Sequence, residues 1–313
     1  MSDERLDVVV LMGGPDAERE VSLQSGHAVA AALRNIEQYV VRDVVIDKPT
    51  AADLRAISGD VIVPMLHGTW GEGGELQALL ETIGLPFVGA DSTTARLAMD
   101  KIASKRCIES HGVPTPPAFP LRADEPCPLP APCVIKPMND GSSVDLRICQ
   151  NSAEIDEART ALHARRDDLM VEAYIRGREV TVGFLDGQTL PLIEIVPAAA
   201  FYDYEAKYER DDTAYRIEPD DLPFAAACVS NAEAAIRAIG VRDLARVDFI
   251  VDEHGPWFLE INTMPGFTDH SLVPMAAQAV GLSMSELCQR LVECARRRGL
   301  DAQKSNPDAT ISR

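Results

Sequence analysis

Apolar residues in this chain fall in short runs that stop at glycine or proline. Leu6–Met12 ends at Gly13-Gly14, Tyr39–Ile46 is a second run, and Ser58–Leu66 ends at His67-Gly68. Runs of this length bounded by turn residues read as buried strands. Val21–Leu33 and Glu75–Thr82 lie between and after them with helical spacing, and Pro86–Gly89 reads as a fourth short strand. Strands alternating with helices predict a parallel sheet covered by helices. One α/β domain therefore accounts for the chain up to about residue 95.

The pattern then changes. Pro114–Pro132 is rich in proline and reads as an extended connection, followed by a strand at Cys133–Lys136, a small-residue loop at Gly141–Ser143, a strand near Val144–Ile148 and a helix at Glu154–Arg165. Asp168–Tyr174, Glu179–Leu185 and Thr189–Val196 resemble consecutive antiparallel strands, with turns at Arg176-Gly177 and Asp186-Gly187. Phe201–Asp221 is dense in Tyr, Asp and Glu without periodicity and is expected to be a surface loop. Asn231–Ile239 is helical, Arg246–Val251 and Pro256–Ile261 flank Asp252–Gly255 as a hairpin, and Ser283–Arg298 is a C-terminal helix.

Composition excludes several classes. The 313 residues are 46% hydrophobic and 25% charged, which suits a globular protein with a well-buried core. The opening MSDERLDVVV is charged, and no apolar run reaches the ~18 residues of a membrane span, so a cytoplasmic protein without a membrane partner is expected. Seven cysteines are scattered with no CxxC pair, which favours reduced thiols over a disulfide framework or zinc site. A net charge of −19 argues against a nucleic-acid partner.

Candidate chemistry gathers on the hairpin. Alternation puts Glu260 and Asn262 on one face of their strand with Leu259 and Ile261 on the other, while Arg246 and Asp248 share a face of the partner strand. Pairing the strands can bring Asp248, Glu260 and Asn262 together, an oxygen-rich set suited to Mg²⁺. An ordinary solvated hairpin face fits the same letters. Lys136 leaves an apolar strand beside the Gly141–Ser143 turn, as a phosphate site requires, or is a surface lysine by chance; the P-loop pattern is absent. Lys101 in MDKIASK is a second phosphate candidate or a solvated helix residue. Glu18 stands where a helix opens, either to hold a substrate ammonium or to complement the helix dipole.

In chain order, GGPDAEREVSLQSG, LHGTWGEGGELQALLETIGLPFVG, MDKIASK, VIKPMNDGSSV, YIRGREVTV, FYDYEAKY and RVDFIVDEHGPWFLEINTMPGFTDHSLVPMAAQAVG resemble the D-alanine–D-alanine ligases of the ATP-grasp superfamily. The likeness runs from about residue 6 to residue 295. It implies an α/β ATP-grasp fold: an N-terminal parallel-sheet α/β domain (1–95), then two α+β subdomains (96–185 and 186–313) that hold the nucleotide between antiparallel sheets, with a lid loop at 200–221. It also implies the reaction. ATP phosphorylates the carboxylate of one D-alanine, the amine of a second attacks the acyl phosphate, and the dipeptide serves peptidoglycan precursor synthesis.

Residue roles follow by the same resemblance. Asp248, Glu260 and Asn262 would hold two Mg²⁺ ions, with Mn²⁺ as an alternative. Lys101, Lys136 and Ser143 would bind ATP phosphates, Glu172 in VEAY would lie on the adenine strand and Glu179 would bind the ribose. Arg246 would stabilise the acyl phosphate and tetrahedral intermediate. Glu18, with His67, would bind the first D-alanine, and Ser271 and Leu272, aided by the Gly266 amide, would fix the carboxylate of the second. Lys207 and Tyr208 would close over the site, with Tyr208 meeting Ser142. A homodimer is implied as well.

The chain departs from the family pattern at Gly74 (read against the aspartate of Gly-Glu-Asp-Gly), Ala78, Asp145 and Ala173. A carboxylate at position 145 facing the phosphates ~6 Å away would repel them by roughly 2–3 kcal/mol at an effective dielectric of ~20; facing solvent, it would not. The departures leave room for a diverged ligase of weak ATP use or other amino-acid specificity, or for a non-catalytic binding protein of the same fold.

Overall fold

A computed structural model describes residues 5–57, 59–141, 145–197, 213–268 and 270–305, which build three sheets. In the first, β1 (Leu6–Gly13) lies between β2 (Tyr39–Ile46) and β3 (Val61–Pro64), and both pairings are parallel, as the alternation of strands and helices predicts. Pro86–Gly89 contributes only one parallel bridge, between Ile62 and Phe87. Its backbone is spent elsewhere: the Phe87 carbonyl accepts from Arg298, and the Gly89 N–H donates to Asp243.

Both faces of this sheet are buried, as a parallel sheet requires. Val9, Leu11 and Ile62 pack with Trp70, Leu76 and Leu80. On the other side Val8, Val10 and Met12 pack with Val29 and Leu33 of the helix Arg19–Arg34 and with Leu287, Leu291 and Val292 of the C-terminal helix Met284–Ser305. Among the described residues no helix is long and apolar enough to cross a membrane.

The second sheet comprises β4 (Ala118–Pro120), β5 (Cys133–Pro137), β6 (Arg147–Cys149) and β7 (Leu169–Ala173) in the order β4-β7-β5-β6, all antiparallel. The third contains β8 (Arg178–Leu185), β9 (Gln188–Thr189), β10 (Ile193–Val196), β11 (Ala214–Ile217), β12 (Leu244–Asp252) and β13 (Gly255–Asn262), ordered β11-β10-β8-β12-β13 with β9 on β8. Thus β7 and β8, expected as neighbours, belong to different sheets. Strand pairing places the change of subdomain between them, ahead of residue 186, because β8 sits between β10 and β12.

β11 falls inside the stretch expected as surface loop. It was illegible because ion pairs rather than alternating apolar residues seat it: Arg216 reaches Glu194 at 2.9 Å and Asp221 at 2.6 Å. The helix Ala225–Ile239 covers the back of the third sheet, where Cys228, Ala232 and Ile236 pack on Val182, Val247 and Phe249. The front faces the second sheet across a cleft.

Candidate active site

The cleft takes its apolar walls from Val134, Leu146, Ile250 and Leu259, and its floor carries Lys136, Glu172, Glu179, Asp248 and Glu260. The hairpin β12–β13 supplies the acidic part. Asp248 stands directly opposite Glu260, and Arg246 opposite Asn262. A register shift after Asp248 pairs Phe249 with Phe258 and leaves Leu259 as the extra residue of a bulge. Leu259, expected on the far face, therefore lines the cleft together with Glu260, while Phe258 and Ile261 turn into the core. Simple alternation could not show this.

Asp248 is buried, so the solvated-face alternative fails there. Its Oδ1 accepts from the Thr181 hydroxyl at 2.6 Å, and the Arg246 guanidinium donates to both carboxylate oxygens at 3.0–3.2 Å. Glu260 is paired with Lys101 at 3.1 Å, and Asn262 Oδ1 accepts from the Met264 N–H at 3.0 Å. The sequence did not disclose that basic groups already sit on both carboxylates. Among the described residues no three acidic, His or Cys side chains form a cage. Two carboxylates and one amide oxygen are still a donor set that fits Mg²⁺, which takes one or two carboxylates and fills its remaining positions with water and phosphate oxygens.

A second pocket adjoins the first, and Lys101, Asp140, Gly141 and Glu260 line both. Glu18 is buried in it. A Cβ added to Gly68 would lie 2.7 Å from Glu18 Oε2, and one added to Gly141 would lie 2.9 Å from Oε1. The two glycines thus let the backbone close on the carboxylate. Arg246, Asn262 and Gly266 complete the wall. His67 is buried and uncharged: burial, opposed by the Met264 carbonyl, lowers its imidazole to about 4. Nδ1–H donates to the Met264 carbonyl at 3.0 Å, so Nε2 accepts from the Ser25 hydroxyl at 3.4 Å. Ser25 Oγ in turn accepts from the Phe267 N–H at 3.0 Å. His67 and Ser25 therefore tie the Gly266 loop to the first domain. Sequence reasoning missed Ser25, although its place on the same helical stretch as Glu18 was visible.

Ser271 precedes the helix Leu272–Ala279, and its Oγ accepts from the Thr268 N–H at 2.8 Å. The Leu272 side chain is in the core with Phe267, so only its backbone N–H can meet a carboxylate. Ser142, Ser143, Lys207 and Tyr208 lie outside the described residues.

Glu72, another residue not singled out from sequence, is buried in this pocket. Burial, then the nearby Glu18 charge, pushes its carboxyl up to about 8. The unfolded chain releases this proton near pH 4.5 and the folded protein near 8, so stability falls as pH rises through that window. Glu72→Gln is expected to raise the urea midpoint relative to wild type more at pH 8 than at pH 5. A gain independent of pH would show that Glu72 is not held neutral.

Lys136, which faces the cleft, and the enclosed Lys105 both pair with Glu172. Lys136 Nζ lies 2.9 Å from Glu172 Oε1 and Lys105 Nζ 2.6 Å from Oε2. Burial alone would lower the Lys136 ammonium, but Glu172 and Glu260 outweigh it and hold it above its ordinary value. Glu179 lines the cleft from β8, opposite Ile250 of β12.

The departures have structural readings. Counting from Gly71-Glu72 puts the family's aspartate at Gly73 rather than Gly74. A Cβ on Gly73 would lie 2.2 Å from the Thr69 carbonyl, so this turn is built for glycine. The N–H groups of Ala173 and Tyr174 already donate to the Pro117 and Pro132 carbonyls. Asp145 has φ of 58°, and its carboxylate is bound by Arg165 at 2.5 Å and Arg166 at 2.6 Å. Arg166 also holds Asp140 at 2.7 Å. The neutralised carboxylate faces neither bare solvent nor the cleft. Asp145→Gly is therefore expected to leave ATP affinity within about threefold, where relief of 2–3 kcal/mol of repulsion would tighten it by roughly 30–150-fold. Isothermal titration with Mg-ATP separates the two.

Comparison with known proteins agrees with this geometry. Residues 123–293 match the family described as D-ala D-ala ligase C-terminus, and residues 48–90 the D-ala D-ala ligase N-terminus. The chain is 42% identical over 298 residues to the D-alanine–D-alanine ligase of Anaeromyxobacter sp. (strain Fw109-5), spanning 92% of this chain and 96% of that protein. The crystal structure of D-alanine–D-alanine ligase from Bacillus anthracis complexed with ATP is similar with a TM-score of 0.82 at 31% identity, over 96% of this chain and 99% of that one. The ligase structure from Coxiella burnetii gives 0.82 at 27% identity, over 96% and 97%. With an antiparallel-sheet cleft, an adjoining anionic pocket and likeness along nearly its whole length, the chain belongs to the D-alanine–D-alanine ligase family.

Proposed function

We propose that the protein joins two D-alanine molecules at the expense of ATP, through an acyl phosphate, in the cytoplasm and for peptidoglycan precursor synthesis. One observation carries this reading: the cleft suited to a nucleotide and the pocket suited to an amino acid share Lys101, Asp140, Gly141 and Glu260. A phosphoryl group at the end of one can therefore meet a carboxylate in the other.

Each pocket has the matching chemistry. The nucleotide lies between the apolar walls with its ribose at Glu179, and Lys101 and Lys136 draw its phosphates inward. Mg²⁺ at Asp248, Glu260 and Asn262 supplies charge neutralisation for the phosphates. Glu18 accepts from the ammonium of the first D-alanine. Glu72 is uncharged at neutral pH, so it does not compete for that ammonium. Arg246, in the wall of the amino-acid pocket, donates to oxygens where negative charge grows as the acyl phosphate forms and as the second amine attacks. The second D-alanine places its carboxylate at the Ser271 hydroxyl and Leu272 N–H, at a helix N-terminus that favours an anion.

Phosphate release with Mg-ATP, with and without D-alanine, tests the proposal when D-alanyl-D-alanine is measured in parallel. D-alanine-dependent release with equimolar dipeptide is the expected result. Release independent of D-alanine, or none at saturating ATP, would defeat it.

A further inference from the structure

The helix Lys101–Glu109 carries two lysines one turn apart on the same face, and only Lys101 has a place in the mechanism above. The other, Lys105, is 3% exposed, and its position answers to Glu172. Lys105 Nζ donates to the Phe258 carbonyl at 2.9 Å, lies 5.6 Å from the centre of the Phe258 ring, and stands 2.6 Å from Glu172 Oε2. Phe258 anchors the ammonium from below, and the ammonium anchors the carboxylate. Glu172, also 3% exposed, lines the nucleotide cleft from β7 between Ala118 of β4 and Val134 of β5.

The two Glu172 oxygens are not equivalent. Oε1 accepts a hydrogen bond from Lys136 at 2.9 Å. Oε2 is buried and held by the Lys105 ammonium at 2.6 Å. A carboxylate oxygen accepts more than one hydrogen bond, so Oε1 keeps capacity beyond Lys136 for a donor from a ligand in the cleft. Lys136 is also the lysine expected to serve a phosphate. Lys105, enclosed and bonded to backbone, is the counter-charge that remains with Glu172 throughout. Burial, against the opposing pull of Glu172, pushes its ammonium down to about 8.

We propose that Lys105 is a positioning residue that keeps Glu172 ionised and aimed into the cleft, and so sets the preference for a purine nucleotide bearing a 6-amino group over one bearing a 6-oxo group. The inference rests on the nucleotide reading of that cleft. An ionised carboxylate only accepts hydrogen bonds, so it pairs with an amino group and opposes a carbonyl oxygen. Without Lys105, a buried Glu172 whose other lysine is engaged takes up a proton and becomes a donor as well, which admits the 6-oxo base.

The test uses the full-length protein with ATP and with inosine triphosphate, which carries a 6-oxo group, in the D-alanine-dependent assay. Lys105→Met is expected to raise KM for ATP about tenfold and to cut the ATP-over-inosine-triphosphate preference in kcat/KM by about tenfold, with KM for D-alanine within about threefold. A general loss of structure would not move base preference separately from D-alanine binding. KM for ATP and base preference both within twofold of wild type would overturn the proposal. Glu172→Gln separates the two layers of inference. If that variant also keeps wild-type preference, Glu172 does not read the base and the proposal fails while the nucleotide reading stands. If the wild type shows no D-alanine-dependent turnover of ATP, the nucleotide reading fails and takes the proposal with it. If Glu172→Gln loses preference while Lys105→Met keeps it, only the role of Lys105 fails. Should Lys105→Met not fold, Lys105→Met/Glu172→Gln, which removes both buried charges, is compared with Glu172→Gln alone. Equal ATP KM and base preference support the proposal, because Lys105 acts through Glu172; a further tenfold loss overturns it.

Discussion

Arg246→Ala is expected to lower kcat for dipeptide formation by about 10²–10³-fold while changing KM for ATP by much less, the loss typical of removing a donor that acts on developing negative charge. The size follows from position. Arg246 is the guanidinium lining the amino-acid pocket, and its contact with both oxygens of Asp248 fixes where its donors point. Arg246→Lys is expected to recover less than a tenth of the loss, because an ammonium keeps the charge but not the planar fork. Removing the arginine also leaves buried Asp248 with the Thr181 hydroxyl, so a fall in thermal midpoint accompanies the kinetic loss. Rates are therefore compared well below the midpoint of the variant. A kcat within threefold of wild type under those conditions would remove Arg246 from the chemistry.

Glu18→Gln is expected to act on the other side of the same pocket. Truncating one partner of a buried, hydrogen-bonded charge pair costs about 2–5 kcal/mol, so KM for the first D-alanine rises by roughly 30-fold or more. Glutamine preserves the shape pressed between Gly68 and Gly141, which makes the loss one of charge rather than packing. KM for ATP and for the second D-alanine should stay within about threefold. Initial rates over a wide D-alanine range resolve the two amino-acid sites, and an unchanged first-site KM would show that Glu18 only complements its helix.

Much of this site was legible as letters. The parallel first sheet followed from apolar runs separated by helical spacing, and the facing of Asp248 and Glu260 followed from alternation and hairpin pairing. What escaped were features decided by contacts distant in sequence. The bulge at Leu259 reverses one side chain and cannot be counted from either strand alone. Glu72 lines the amino-acid pocket, and Ser25 braces its His67 and Phe267 side, in an arrangement that forms only where His67 and Met264 meet across 197 residues. Asp145 looked like a hazard to phosphate because Arg165 and Arg166, twenty residues on, gave no sign that they turn back to it. Lys105 carries no distinguishing mark in the sequence, and burial singles it out.

The union of Val8, Val10 and Met12 with Leu287, Leu291 and Val292 bears on how the chain matures during translation. β1 is made long before the helix Met284–Ser305, so the side of its sheet that both helices cover is closed only in part, by Arg19–Arg34, until that later helix exists. Chains released before Met284 would lack the cover that Leu287, Leu291 and Val292 give, and chaperones or proteases would find the exposed part there. A strand made early in translation thus waits for a helix made some 270 residues later to complete its seal.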